Sequence, residues 1–182
     1  ILVISASKTR AGDFSTFTLR IIHELAILEH LRPKPNQRFS KISFDVGLAP
    51  ASHAPSVKSL GVTSQLTGSR ADIIVADDVE VPNNSATQTM RDKLSEQIKE
   101  FDAILKPNDD SKVLVLGTPQ CEDTIYYKLS ERGYKTRVWT AQYITPTKHE
   151  NAYNGNVSHL CADSEKEGDS TEPTRFSNID LR

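Results

Sequence analysis

The chain has 182 residues, enough for one domain with a tail, and its 37% hydrophobic and 25% charged residues are ordinary for a globular protein. A net charge of −2 excludes a global electrostatic case for nucleic-acid binding and leaves only a local surface for it. No apolar stretch is long enough to span a membrane, and no signal peptide is visible.

The first segment, Ile1 to Ser5, reads as a buried strand. Ser5-Ala6-Ser7-Lys8 closes it, with Ser7 or Asp13 able to cap a following helix. Phe14, Phe17, Ile21, Leu25, Leu28 and Leu31 recur at helical spacing and predict the core-facing stripe, which Pro33 and Pro35 end. Lys41 to Gly47 and Ser56 to Gln65 read as two short strands around a loop at 48–55. Leu66-Thr67-Gly68-Ser69-Arg70 is a turn into the next strand. Arg70 is either a solvated loop arginine or a contact for a phosphate.

The run Ala71-Asp72-Ile73-Ile74-Val75-Ala76-Asp77-Asp78-Val79-Glu80 carries the strongest signal. A short apolar run is a buried parallel strand, and its end lies on the sheet edge where α/β proteins bind ligands. Adjacent carboxylates there form the pattern of a Walker B strand, in which one acid holds Mg²⁺ through water and the next polarises the attacking water. A strand ending in a solvated acidic turn would look the same.

A second strand, Lys112 to Leu116, ends in Gly117-Thr118-Pro119-Gln120, and one helical stretch from Ser85 to about Leu105 separates the two. Strand, helix and strand make a right-handed βαβ unit. Asp77 and Asp78 are therefore expected on the same sheet edge as Thr118 and Gln120. A Thr or Gln in that place senses a γ-phosphate or orients a water. An ordinary strand-ending turn has the same Gly-Pro punctuation.

Thr124 to Arg132 reads as a short helix stopped by Gly133, and Tyr134 to Ala141 as another strand, carrying Trp139. Beyond Thr145 the apolar residues thin out, and Asp163 to Pro173 is acidic and unpatterned, as in a linker or tail. Cys121 and Cys161 lack metal-site spacing, which fits a reducing intracellular compartment. His149, His159 and Cys161 come nearest to a cluster and read as unrelated side chains.

A phosphate loop, G-x-x-x-x-G-K-[ST], does not occur in these residues: neither Gly61 nor Gly68 is followed by Gly-Lys-Ser or Gly-Lys-Thr. The chain opens directly on a strand, without a methionine, as expected of a chain cut from something longer.

Several segments together resemble the large terminase subunit of short-tailed, autographivirus-type double-stranded-DNA phages. They are Ile1-Leu2-Val3-Ile4-Ser5-Ala6-Ser7-Lys8, Ile42 to Gly47, Pro55 to Ser59, Gln65 to Asp72, Ile73 to Glu80 and Leu116 to Gln120, with Pro173-Thr174-Arg175-Phe176 continuing more weakly. The resemblance implies an α/β fold: a mainly parallel sheet flanked by helices, with a P-loop NTPase-type core lacking its phosphate-loop strand. Residues 1–145 would be part of an ATPase domain, and 146–182 a polar linker or tail toward a nuclease domain. In ATPases of this type the phosphate-loop strand lies centrally. Val113–Leu116 is then expected beside Ile73–Ala76, with Ile1–Ser5 further out. The Tyr134–Ala141 strand would lie across a gap or have collapsed inward.

Carried over to this sequence, the resemblance matches the Walker B carboxylates to Asp77 and Asp78 (where Glu is usual) and the coupling motif to Gly117-Thr118-Pro119-Gln120. The expected site is then Asp77 as the metal residue, Asp78, Thr118 and Gln120 as catalytic, and Gly117, together with Arg70 from its own reading, as nucleotide-binding. It implies ATP and Mg²⁺ as cofactors. It implies double-stranded viral DNA, the portal protein and the small terminase subunit as partners, a homo-oligomeric ring on the portal, no membrane partner, and the host cell cytoplasm as the location. The 182 residues alone are expected not to hydrolyse ATP. Two other readings remain open. One is a helicase-like DNA-dependent ATPase, since Asp-Asp-Val-Glu also resembles a helicase acidic box. The other is a non-catalytic remnant that only binds packaging partners.

Overall fold

A computed structural model describes residues 1–181, apart from the side chains of residues 149–152. His149 of the loose histidine–cysteine group thus lies outside the described side chains, and Cys161 is buried. The chain forms two compact units, Ile1–Lys128 and Leu129–Arg182.

The first unit is built on a six-stranded mixed sheet. Its strands are β1 (Leu2–Ser5), β2 (Phe39–Ser40), β3 (Ser43–Phe44), β4 (Val57–Gly61), β5 (Ile73–Asp77) and β6 (Lys112–Leu116). They lie in the order β2-β3-β4-β1-β5-β6, and β4, β1, β5 and β6 are mutually parallel. The β2–β3 hairpin adds an antiparallel edge. The α/β class with a mostly parallel sheet is the one expected. β6 pairs in parallel with β5, as the βαβ reading requires, and β1 lies on the other side of β5, where the resemblance puts it.

β1 is buried along its whole length because it is sandwiched between β4 and β5 and Leu2, Val3 and Ile4 are apolar toward both faces. Helix α1 (Lys8–Glu24) packs across β4 and β1. Its first turn is capped by the Ser7 hydroxyl, which accepts from Arg10 N at 3.2 Å. The inward face of α1 is Ala11, Ser15, Leu19 and Ile22, not the predicted aromatic stripe: Phe14 and Phe17 are 40% and 61% exposed. Small side chains are needed where helix and sheet approach closely. The fully buried Ser15 hydroxyl meets the Ser59 hydroxyl of β4, and Leu19 and Ile22 pack with Val3, Phe44 and Val57. The helix ends at Glu24, and a 3₁₀ segment, Ala26–Leu31, carries the chain on to Pro33.

The expected helix between β5 and β6 is two helices, α2 (Pro82–Ser85) and α3 (Gln88–Ile104). The break falls at Ala86-Thr87, where Thr87 leaves helical geometry and caps α3 by accepting from Met90 N. Leu94, Ile98 and Phe101 form the buried stripe of α3 at one-turn spacing. The chain steps from β1 toward β4 in one direction and from β5 to β6 in the other. Right-handed connections then put α1 and α3 on opposite faces of the sheet.

Helix α4 (Ile125–Glu131) matches the predicted short helix, and Gly133 follows it with φ of +92°, a conformation that suits glycine. The second unit consists of short helices (Pro146–Asn151, with 3₁₀ turns at Ala152–Gly155 and His159–Cys161), turns and isolated bridges. Tyr134–Ala141 is not a strand of a sheet: it carries one bridge, Val138 to Val157, and Trp139 is 63% exposed. Lys135 and Arg137 alternate with half-buried neighbours, so neither side of the segment is apolar enough to be sealed. Further bridges join Gln142 to Ser170 and Ile144 to Ala162, and Val157, Cys161 and Ser170 are buried within this unit. No helix among the described residues is long and apolar enough to cross a membrane.

Candidate functional site at the end of strand β5

The strand order reverses between β1 and β5, since the chain leaves these neighbours in opposite directions. In open α/β sheets the crevice outside the carboxyl ends of such strands is where ligands bind. Here a cleft lies at that place, lined by Val3, Ser5, Arg10, Phe14, Asp77 and Asp78 among others. The two exposed phenylalanines of α1 thus belong to the wall of the cleft.

Asp77 is the last residue of β5 and stands in register with Ser5 of β1 and Leu116 of β6. Partial burial raises its carboxyl above the ordinary aspartate value; the neighbouring charge of Asp78 adds to this and Arg10 opposes it. Asp78 takes a left-handed backbone with φ of +45°, and its N–H donates to the Leu116 carbonyl at 3.0 Å. Such a conformation is uncommon outside glycine, and it turns the chain sharply at the end of the strand. Arg10 reaches across from the first turn of α1 and places Nη1 3.6 Å from Asp78 Oδ2.

The turn after β6 arrives beside these acids because Asp77 and Leu116 are register partners. Gly117 allows a close approach: a Cβ there would lie 1.8 Å from the Tyr126 hydroxyl oxygen. The Tyr126 phenol is pushed up to about 12, first by burial and then by the charges of Glu80 and Asp78. Gln120 folds its side chain back, Nε2 donating to the Thr118 carbonyl at 3.0 Å. The backbone N–H of Gln120 donates to Glu80 Oε1 at 2.8 Å.

Glu80 is 2% exposed, yet every donor it faces is well placed. Oε1 also accepts from Thr124 Oγ1 at 2.7 Å, and Oε2 accepts from Ile125 N at 2.8 Å. Asn84 secures the chain on either side of Glu80, accepting from Val81 N and donating to the Val79 carbonyl.

Of the residues singled out from the sequence, the fold brings Asp77, Asp78, Gly117, Thr118 and Gln120 to one edge. Arg70 does not join them. It precedes β5, so the strand, about 16 Å long, separates it from Asp77, and its Nη1 donates to the carbonyls of Ser69 and Ala103. Two residues of the site carry no role in the sequence reading, Arg10 and Glu80, although Glu80 closes the Asp-Asp-Val-Glu run. A trace of Arg10 is visible in the sequence: a cation in the first turn of a helix works against the helix dipole, and α1 has no acid there. For Glu80 the trace is weaker, a carboxylate set between two valines.

The donor set is hard oxygen from adjacent carboxylates. Among the described residues no group of three or more His, Cys, Asp or Glu could hold a metal ion. An all-protein cage is therefore not what these residues offer. One or two carboxylates completed by substrate phosphates is the usual way of holding Mg²⁺, and this site fits it.

No family model matches the chain. Over its whole length it is 49% identical to a curated relative, the "Terminase, large subunit" of Enterobacteria phage T3. The chain spans 32% of that protein's length. The resemblance to terminase large subunits is thereby borne out along all of the chain.

Proposed function

We propose that this chain is part of the ATPase domain of a terminase large subunit, the motor that packages phage DNA into a prohead. One observation carries the reading. The parallel pairing of β5 with β6 sets Asp77 against Leu116, and Asp78 N–H is bonded to the Leu116 carbonyl, so a carboxylate pair and the Gly117–Gln120 turn share one sheet edge. The 49% identity to the phage T3 protein supports it.

In this reading Asp77 is the residue that would hold Mg²⁺. Asp78 accepts a hydrogen bond from the attacking water and draws its proton, and Arg10 keeps that carboxylate turned toward the cleft. Thr118 and Gln120 meet the γ-phosphate side of the site and relay its state. Mg²⁺, when bound with ATP, supplies charge neutralisation at the phosphates. Asp78 is one methylene shorter than the usual Glu, and its left-handed backbone offers a way to present the carboxylate from a shorter side chain.

The phosphate cradle belongs, in this proposal, to a further strand outside these residues. The outer edge of β6 is the place for it: β6 ends the sheet, and its Leu114 and Leu116 are 48% and 53% exposed. Parallel sheets bury such strands on both sides. Arg70, at the far edge and bonded to the Ser69 and Ala103 carbonyls, has no part in this reading. The whole protein would act on double-stranded viral DNA in the host cell cytoplasm, as a ring on the portal protein with the small terminase subunit as a partner. Its cutting activity would reside in the remaining length.

The test uses the full-length protein. Asp77→Asn and Asp78→Asn are expected to abolish packaging and to lower ATP turnover by roughly two orders of magnitude, the scale for losing one electrostatic stabiliser of a transition state. Wild-type turnover by Asp77→Asn would overturn the reading.

A further inference from the structure

We propose that Glu80 is a positioning residue that locks the acid-bearing turn after β5 to the turn after β6, so that the two move as one body. The inference rests on the ATPase reading above and goes beyond it, since neither the Walker B pattern nor the Gly-Thr-Pro-Gln turn calls for an acid at this place. The two turns come from strands that are neighbours in space but lie about forty residues apart in sequence. Backbone pairing joins them only up to Asp78 and Leu116. Beyond that point three hydrogen bonds converge on the Glu80 carboxylate, which gathers the Gln120 amide, the Thr124 hydroxyl and the Ile125 amide at 2.7–2.8 Å.

The residue type is demanded by the geometry. All three partners are donors, and an ionised carboxylate is the side chain that only accepts. Gln would turn an NH₂ toward one of these donors, either the Ile125 amide or the Gln120–Thr124 pair. Asp would stop a methylene short. Because Glu80 is buried, water cannot take over the released donors without opening the turn. The consequence reaches the chemistry through Gln120. Its amide is fixed by Glu80 and its side chain is folded onto Thr118, so both proposed phosphate-facing residues hang from this one carboxylate.

The experiment is amide hydrogen exchange and steady-state kinetics with Mg²⁺-ATP on full-length wild type, Glu80→Gln and Thr124→Val. Glu80→Gln is expected to release the amides of Gln120 and Ile125 at least tenfold in exchange rate while β5 and β6 stay protected. It should lower kcat about tenfold with KM for ATP changed less than threefold. Thr124→Val, which removes one donor and keeps the carboxylate, should show the same pattern more weakly, and it carries the test if Glu80→Gln does not fold. Unchanged protection at Gln120 and Ile125 would overturn the inference. So would loss of protection throughout β5 and β6, which would mark Glu80 as a support of the sheet. Freed amides with unchanged kcat would overturn the positioning role. Asp77→Asn, run in parallel, separates the two proposals: if it keeps wild-type turnover, the reading of the site fails whatever Glu80 does.

Discussion

The two ends of strand β5 each carry an aspartate, and the fold treats them oppositely. At the start, Asp72 accepts from Lys106 Nζ at 2.9 Å and from Asn108 Nδ2 at 3.3 Å, and the Lys106 bond first of all holds its carboxyl below the ordinary value. At the finish, Asp77 is partly buried beside Asp78 and its carboxyl is held above the ordinary value. One end is a satisfied surface ion pair. The other keeps like charges together at the mouth of a cleft, with Arg10 as the partial counterweight. A protein tolerates such an arrangement where a ligand is to relieve it. The difference marks the carboxyl end of the sheet as the candidate site without reference to any motif.

The sharpest way to break this comparison is to neutralise each end in turn. Asp77→Asn removes a charge that is unfavourable in the folded protein. It should raise the melting temperature in the presence of a chelator while lowering ATP turnover in the full-length protein by roughly two orders of magnitude. Asp72→Asn should do the reverse, costing a little stability and leaving turnover intact. If calorimetry shows Asp77→Asn to be destabilising, the carboxyl end is an ordinary structural corner and the contrast collapses.

A second perturbation concerns how tightly the functional end is built. Gly117→Ala would put a Cβ 1.8 Å from the Tyr126 hydroxyl oxygen and 2.6 Å from its Cζ. The ring must shift, at a cost of about 1–3 kcal/mol for overpacking. Urea denaturation should show this loss, and a Tyr126→Ala background should remove most of it. An equal loss in both backgrounds would place the constraint in the backbone instead.

Much of this end was legible from sequence. Apolar runs ending in Asp77-Asp78 and in Gly117-Thr118 announce two parallel strands, and the helical stretch between them sets their relation. What escaped was whatever depends on the approach of distant elements. The α1 stripe was misjudged because Phe14 and Phe17 outweigh Ala11 and Ser15 on any hydrophobic count, while close helix–sheet packing selects the small residues. Glu80 looks like any solvated acid until Thr124 and Ile125 are folded against it. Arg70 follows the same logic in reverse: it is close to Asp77 in sequence, and the intervening strand carries it to the opposite edge.

Tyr126 offers a spectroscopic probe of the same end. Its phenol stands at about 12 against an ordinary value of 10, so the folded protein holds the proton more firmly than the unfolded chain. The resulting stabilisation is complete below about pH 10 and is lost as pH rises through about 12. Ultraviolet titration of the five tyrosines should show one phenolate appearing last, and Tyr126→Phe should remove that step. If no late phenolate appears, Tyr126 is neither buried nor held against the charges of Glu80 and Asp78.

The smallest effect belongs to the quiet end of the strand. Lys106→Ala leaves Asp72 with Asn108 as its remaining side-chain partner, but Lys106 and Asp72 are 43% and 52% exposed. Solvent screens such a pair, and its loss should cost less than about 1 kcal/mol. The sign with pH follows from the lowered carboxyl of Asp72. The stabilisation is present above the unfolded value of 3.8 and disappears as pH falls through the folded one. Wild type and Lys106→Ala should therefore differ slightly at neutral pH, less in high salt, and converge in acid. A gap that persisted in acid would assign the role of Lys106 to its packing rather than to its charge, and the two ends of β5 would no longer differ in kind.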